Sequence, residues 1–289
     1  MNNIVKILRF ILFIPVIATN ELLLFYSRAI SYIDPNGSER KLEELYQNTV
    51  NKKINSNLKL NNNIDYNPKL KKKINFYTPN KLSSYRACTY LSKEKDTILW
   101  IDKFGSSKNI FFDVGSNIGV YSLYYASLYG AKVFAFEPQY DNATLLSRNL
   151  KLNNLQNYVT IIPNPLYKNN KIDFLFSSSN NEAASASTTF IKKNIYISKN
   201  FDKKLTMSYS IDFLVKNNLI PQPNIIKIDV DGNELDVIKG ARKTINEKKC
   251  KSILIEKTNK ISDHLIDKIL SKSFYLYKHS GLNSIYVRR

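Results

Sequence analysis

The chain has 289 residues, 43% of them hydrophobic and 23% charged, which supports one large core and excludes a disordered polypeptide. Its two cysteines, Cys88 and Cys250, exclude a disulfide scaffold and a cysteine-ligated zinc site and fit a reducing compartment. Lys and Arg outnumber Asp and Glu by 43 to 24, a net charge of +19, but the one dense basic cluster is "KLKKK" at Lys69–Lys73, so a lysine-rich composition explains the charge as readily as a polyanionic partner.

The most apolar stretch comes first, "MNNIVKILRFILFIPVIATNELLLFY". Its charge-free run, Phe10–Ala18, is too short to span a bilayer, and Pro15 interrupts it. Lys6 and Arg9 give it the look of a signal peptide, while an interfacial helix over residues 4–26 or an ordinary packed helix also fits. Residues 1–30 therefore form an apolar N-terminal segment. Residues 31–80 are polar and Asn/Lys-rich, a connecting region with helical pieces such as "SERKLEELYQ". Residues 81–289 carry a regular pattern.

In that part, "NIFFDV", "KVFAFEP", "VTIIPN", "NIIKIDV" and "KSILIEK" are short apolar runs of the kind buried parallel strands give. Helical patterns alternate with them: "GVYSLYYASLY", "ATLLSRNLKLN", "ELDVIKGARKTI" and "ISDHLIDKILSK". In the last, Ile261, Leu265, Ile266, Ile269 and Leu270 share one face. "SFYLYKH" and "SIYVRR", joined by a short turn, must be antiparallel. The prediction is an α/β fold, a mostly parallel sheet with an antiparallel C-terminal hairpin and helices on both faces. This is the Rossmann-like methyltransferase layout. The small, polar loop "SSSNNEAASASTTF", Ser177 to Phe190, is expected to border an acceptor pocket.

Two of only eight glycines stand in "FFDVGSNIGV", at the carboxyl end of the first strand, where open α/β sheets bind ligands. Gly115 and Gly119 let the backbone turn unusually and let a ligand approach. The spacing is D-x-G-x-x-x-G, without the dinucleotide G-x-G-x-x-G. Asp113 would repel a pyrophosphate and attract an ammonium or a sulfonium, so S-adenosyl-L-methionine fits better than NAD. Ser116 and Asn117 complete this turn. The second strand ends "FAFEP", placing Glu137, followed by Pro138, where an acid accepts hydrogen bonds from two ribose hydroxyls.

"IIKIDVDGNELDVIKGA" is the other dense constellation. Capping and the helix dipole account for Asn233, Asp236 and the lysines. They do not require Asp229, a charge at the tip of a buried strand, which reads as site chemistry.

Together, "FFDVGSNIGVYSLYYA", "VFAFEP" and "KIDVDGNELDVIKGA" resemble the FkbM-type methyltransferase family, as does "RACTYLSKEKDTILWIDKF" with Arg86, Glu94, Thr97 and Trp100. The resemblance spans Ser84 to Arg289. It implies a seven-stranded Rossmann-like domain, S-adenosylmethionine as methyl donor, and O-methylation, often of sugars or secondary metabolites. It places Asp113, Gly115, Asn117 and Gly119 on the methionine side, Glu137 at the ribose, and Asp229, Asp231 and Glu234 among the family's acidic positions. Two departures stand out. Asp231 replaces the usual Glu, and "NPLYKNN" replaces the usual run after the third strand, which puts adenine-side contacts of Asn164 in question.

For a hydroxyl acceptor a general base helps. Asp229 is the expected base, with Asp231 or Glu234 orienting the acceptor or holding a divalent cation that no spacing demands. His264 reads as solvated, and His279, at a strand end, could reach the site. The competing readings are an RNA methyltransferase, suggested by +19 and by "NPLY" as a partial N-P-P-Y box, and a non-catalytic membrane-associated protein that keeps the fold. A cofactor made in the cytosol places the chain in the cytoplasm, peripheral on the inner membrane face if residues 4–26 bind lipid. The expected acceptor is a hydroxyl-bearing small molecule or cell-surface glycan rather than nucleic acid.

Overall fold

The computed structural model describes residues 69–70, 73–178, 183–185, 188–190, 201–257 and 259–289. The expected membrane-surface helix at 4–26, the helical piece "SERKLEELYQ" and parts of the Lys69–Lys73 cluster and of the polar loop lie outside them. No helix among the described residues is long and apolar enough to cross a membrane.

In chain order the elements begin with α1 (Lys81–Thr89), α2 (Lys95–Phe104), β1 (Phe111–Val114), α3 (Val120–Tyr129), β2 (Val133–Phe136), α4 (Tyr140–Leu152) and β3 (Val159–Ile162). Then come β4 (Lys171–Ser178), β5 (Thr188–Phe190), β6 (Phe201–Ser208), α5 (Ile211–Lys216), β7 (Ile225–Ile228), α6 (Glu234–Gly240) and α7 (Arg242–Asn246). The chain closes with β8 (Ser252–Glu256), α8 (Lys260–Leu270), β9 (Phe274–Ser280) and β10 (Asn283–Arg288).

The seven-stranded sheet has the order β3-β2-β1-β7-β8-β10-β9. The first five strands are parallel, and β10 runs antiparallel to both β8 and β9. All five apolar runs and the closing hairpin thus fold as expected. Successive residues of β1 feed opposite layers, Phe111 packing with Trp100, Tyr124 and Tyr125 and Phe112 with Phe136, Ile226 and Ile253. Continuous rather than alternating hydrophobicity follows from a strand buried on both faces.

Three details differ from expectation. The stretch read as a polar loop and its surroundings build a second, antiparallel sheet of order β5-β4-β6. "ELDVIKGARKTI" breaks into α6 and α7 at Ala241, whose φ of −113° and ψ of 5° leave the helical region. Leu70, Ile74 and Phe76, left in the connecting region by the sequence, are buried in the core with Trp100 and Tyr124, so the domain begins before residue 81. In α8, Ile266 and Leu270 are buried, while Ile261 and Leu265 are exposed.

The two site glycines have a structural reason that the sequence did not suggest. Both take left-handed backbone, φ +81° at Gly115 and +85° at Gly119. A Cβ on Gly115 would lie 1.8 Å from the Asp229 carbonyl oxygen, and one on Gly119 would lie 2.1 Å from Leu146 Cδ1. What presses on these positions is the chain itself, not space kept for a ligand. Because the obstacle at Gly115 is main chain while that at Gly119 is a side-chain tip, Gly119→Ala should cost about 2 kcal/mol and Gly115→Ala about 4 kcal/mol. Urea unfolding midpoints check the order; equal losses would contradict it.

Candidate active site

The carboxyl ends of β1, β2, β7 and β8 open on a crevice of about 200 Å³. A side cavity of about 40 Å³ adjoins it, and Arg86, Glu94, Gly115, Asn117 and Asp229 line both, so the two are parts of one cleft. Of the residues expected from sequence, Gly115, Asn117, Glu137, Pro138, Asn164, Asp229 and Asp231 line the larger part, and Ser116 lines the smaller. Asp113, Gly119 and Glu234 line neither.

Glu137 follows β2 and is buried. Its Oε2 accepts from the Asn117 N–H at 2.8 Å and its Oε1 from the Gln139 N–H at 2.9 Å. Each oxygen is thereby oriented, and the Asn142 side chain donates to the same carboxylate. Burial pushes Glu137 up to about 7 against those two N–H bonds.

Asp113 sits behind the crevice wall, fully buried, accepting from Ser122 Oγ at 2.6 Å. Burial raises its pKa, and Lys227 opposes that rise. This lysine, overlooked in the sequence, is the third residue of β7; its side chain is 1% exposed and its Nζ lies 2.7 Å from Asp229 Oδ2, whose own side chain is 31% exposed. Burial works against the lysine charge, but Asp229, then Asp113 and Glu94, more than offset it and hold Lys227 above the ordinary lysine range. Asp229 is likewise pushed up by burial and brought below its ordinary value by Lys227 and by a hydrogen bond from Glu256. Glu256, raised by burial and by the Asp229 charge, is the partner that carries the proton. It too was missed, because its partner is set by strand register: parallel pairing of Ile228 with Ile255 puts the next residues, Asp229 and Glu256, side by side.

Asp231 sits on a turn at φ +21° and accepts from the Thr188 N–H at 3.3 Å. Burial and Asp229 raise it to about 6. Glu234 turns back to accept from the Gly232 N–H at 3.0 Å, and burial pushes it up to about 7. Of the two acids expected to orient an acceptor or hold a cation, Asp231 lines the crevice and Glu234 does not, and among the described residues no group of three or more His, Cys, Asp or Glu is placed to hold a metal ion. Asn164 lines the crevice with its Nδ2 donating to Met207 O at 3.0 Å. His279, on the outermost strand β9, pairs with Ser284 Oγ and does not line the crevice. His264 is exposed, as expected.

Residues 183–185 form a strap held beside the crevice, with Ser185 in its lining, another feature hidden in the polar loop. Asn80 Nδ2 donates to Ala183 O and Arg86 Nε to Ala184 O. Asn117 and Asn142 Nδ2 donate to Ser185 O, and Asn142 Oδ1 accepts from the Ala184 N–H. Ala184 is held at φ +79°, a conformation that persists only when the surroundings enforce it.

A model of the methyltransferase FkbM domain matches residues 113–277, more than half of the chain. The chain belongs to the FkbM methyltransferase family. A curated relative, hexuronic acid methyltransferase AglP of Haloferax volcanii, is 29% identical over 150 residues, which cover 52% of this chain and 57% of that protein. Among solved structures, methyltransferase FkbM from Methylobacillus flagellatus KT is 21% identical with a TM-score of 0.44, covering 63% of this chain and 44% of that one. Precorrin-6y C5,15-methyltransferase from Geobacter metallireducens GS-15 is 13% identical with a TM-score of 0.43, covering 73% and 91%. The family implies S-adenosylmethionine as methyl donor, and the chain spans less than two thirds of the length of the curated relative it matches.

The crevice chemistry fits that donor. Five carboxyl groups line it (Glu94, Glu137, Asp229, Asp231 and Glu256) against two cations, Arg86 and Lys93. Burial raises Glu137 and Asp231 because the crevice holds too little positive charge to offset them, a shortage a sulfonium would relieve. An acid with a raised folded pKa binds protons on folding, so its stabilising contribution is lost as pH rises from its unfolded value. For Glu137 and Glu234 that window runs from 4.5 to about 7. The unliganded protein should therefore melt at a lower temperature at pH 8 than at pH 5, with a flatter slope in Glu137→Gln. Scanning calorimetry across that range checks it, and a melting temperature that rises with pH contradicts it.

Proposed function

We propose that this FkbM methyltransferase transfers a methyl group from S-adenosylmethionine to a hydroxyl of a sugar or sugar-like acceptor. The observation that carries the reading is the acid-lined crevice at the strand ends, with Glu137 oriented by two main-chain N–H groups. The relative's action on a hexuronic acid supports a sugar as acceptor.

Bound in this crevice, the donor supplies an electrophilic methyl carbon on a sulfonium. Glu137 would accept from the ribose hydroxyls, with Phe136, Pro138 and Leu166 giving an apolar wall beside it. Asp229, kept ionised by Lys227, faces the positive charge. Catalysis rests largely on holding acceptor oxygen, carbon and sulfur in line.

The proton acceptor is better assigned to Asp231 than to Asp229, the base expected from sequence. A carboxylate held low by a buried lysine is a weak base, whereas a group near 6 matches neutral operating conditions. Asp231 also has one oxygen fixed by the Thr188 N–H and stands at the crevice lining, where an acceptor hydroxyl would enter. The negative lining speaks against a nucleic-acid strand threading the site, whatever the charge of the whole chain.

Incubation with methyl-labelled S-adenosylmethionine and a panel of hexose and hexuronic acid glycosides, alongside RNA, tests the function. Label should enter a sugar hydroxyl; transfer to RNA alone would overturn the acceptor class. Asp231→Asn should lower kcat by about 10²- to 10³-fold with donor affinity kept within a few-fold. In the unsubstituted enzyme the rate should rise with pH through about 6 or slightly lower, since the donor cation favours the ionised carboxylate. Glu137→Ala should abolish donor binding by calorimetry.

A further inference from the structure

Resting on the sugar-acceptor reading above, we infer that the small antiparallel sheet builds the acceptor side of the cleft. In it, Thr188 holds the hydroxyl next to the one that is methylated, so the preferred acceptor is a vicinal diol. Leu175, Thr188 and Phe190 bring β4 and β5 to the crevice lining. Gly115, Asn117 and Glu137 reach it from the turns after β1 and β2, so the two sheets contribute different parts of the wall.

Thr188 carries an unused hydrogen-bonding group at that wall. Its Oγ1 is buried and has no partner in the protein, although the residue lines the crevice. A buried hydroxyl left unsatisfied is costly, and strand pairing, which uses main chain alone, gives this one nothing to bond. The strand itself is firmly placed. Thr188 pairs with Ser177 and Phe190 with Leu175 across the sheet. The Thr188 N–H donates to Asp231 Oδ2 at 3.3 Å, and Asn233 Nδ2 donates to Thr189 Oγ1 at 2.9 Å. One residue thus fixes the proposed base with its amide and carries an unpaired hydroxyl.

The chemistry decides which acceptor hydroxyl this group meets. The reacting hydroxyl gives its proton to Asp231 and a lone pair to the methyl carbon, while the carbon–sulfur electron pair leaves with the sulfur. A hydrogen bond from Thr188 onto that oxygen would compete for the lone pair. The neighbouring hydroxyl has no such duty, and like that of threonine it both donates and accepts. On a sugar ring two adjacent hydroxyls stand side by side, and Asp231 and the Thr188 hydroxyl, linked through one residue, can serve both. Leu175 and Phe190, apolar and almost fully buried, give a floor for ring C–H groups.

The test uses the full chain, methyl-labelled S-adenosylmethionine, methyl glucopyranoside and methyl glucuronopyranoside, with mass spectrometry locating the methylated oxygen. Monodeoxy analogues lacking a neighbouring hydroxyl are then compared with the parent sugar. The wild type should lose about tenfold or more in kcat/KM on one of them. Thr188→Val should lose about as much on the parent yet match the wild type within about twofold on that analogue. Thr188→Ser, which keeps the hydroxyl, should retain most of the parent activity, and donor affinity by calorimetry should stay within about twofold in both variants. A loss confined to the parent sugar is what a merely structural role for Thr188 would not give. Equal loss on parent and analogue, no loss on either, or a serine variant as slow as the valine one would overturn the assignment and leave the sugar reading intact. Label in neither glycoside would overturn the sugar reading, and this assignment with it.

Discussion

The site depends on one buried ion pair. Lys227 lies in the middle of β7 with its charge out of water, and an ammonium isolated in that environment would be several kcal/mol too costly to keep. It persists because Asp229 meets it at 2.7 Å and because Asp113 and Glu94 lie near enough to favour its charge. The stabilisation is mutual. Without the lysine, Asp229 and Asp113 would be two like charges in the same dry layer, and at least one would hold a proton. The lysine therefore decides which carboxyl in the crevice is ionised (Asp229) and leaves its neighbour Glu256 to carry the shared proton.

A second layer of order comes from the strap at 183–185. Its hydrogen bonds come from α1, from the Gly115 turn and from α4, so a short segment ties together the elements that frame the crevice. Asn117 is the hinge of this arrangement: its main-chain N–H orients Glu137 while its side chain holds Ser185 O. Its φ of +50° is tolerated because Asn can take left-handed backbone at lower cost than most residues. The turn is specified by the glycines on each side, and what they avoid is protein. Gly115 lets β1 pass against the Asp229 carbonyl, so the glycine turn and the acidic strand end hold each other in register.

Much of this was legible in the sequence because burial on both faces leaves a plain signature. The runs at Phe111, Val133, Val159, Ile225 and Ser252 could hardly be anything but interior strands, and acids directly after them could only stand at a sheet edge. Glu137 and Asp229 were placed at strand ends in that way, where the structure also has them. Lys227 escaped because a lysine inside "IIKI" looks like a solvent-facing position until the neighbouring carboxylates are brought together by pairing. Glu256 escaped for the same reason, since its partner is fixed by strand register and not by proximity in sequence. The antiparallel sheet was hidden because "KIDFLFSS" and "DKKLTMS" alternate only moderately and flank a stretch rich in Ser and Asn. Asp113 was placed by spacing beside the ligand, but spacing does not tell which way a strand residue points; it points into the layer of Ser122 and Lys227.

A net charge of +19 on a chain whose family implies a cationic donor poses an apparent conflict, and magnitudes resolve it. Surface lysines more than about 10 Å away are screened at physiological salt, so their summed repulsion on a bound sulfonium is small. A carboxylate at about 4 Å in a partly buried site is worth about 4 kcal/mol at an effective dielectric of 20. Even without the proton-bearing Glu256, the four carboxyl groups Glu94, Glu137, Asp229 and Asp231 outnumber the two cations Arg86 and Lys93 at the crevice lining and outweigh the distant excess. The same separation assigns different tasks to the two fields. The outer positive charge acts on large anionic partners during approach, where the donor is indifferent to it, and the inner negative charge acts only at contact. A change of a surface lysine should then alter encounter with an anionic acceptor, while a change at Asp229 or Glu137 alters what the crevice holds.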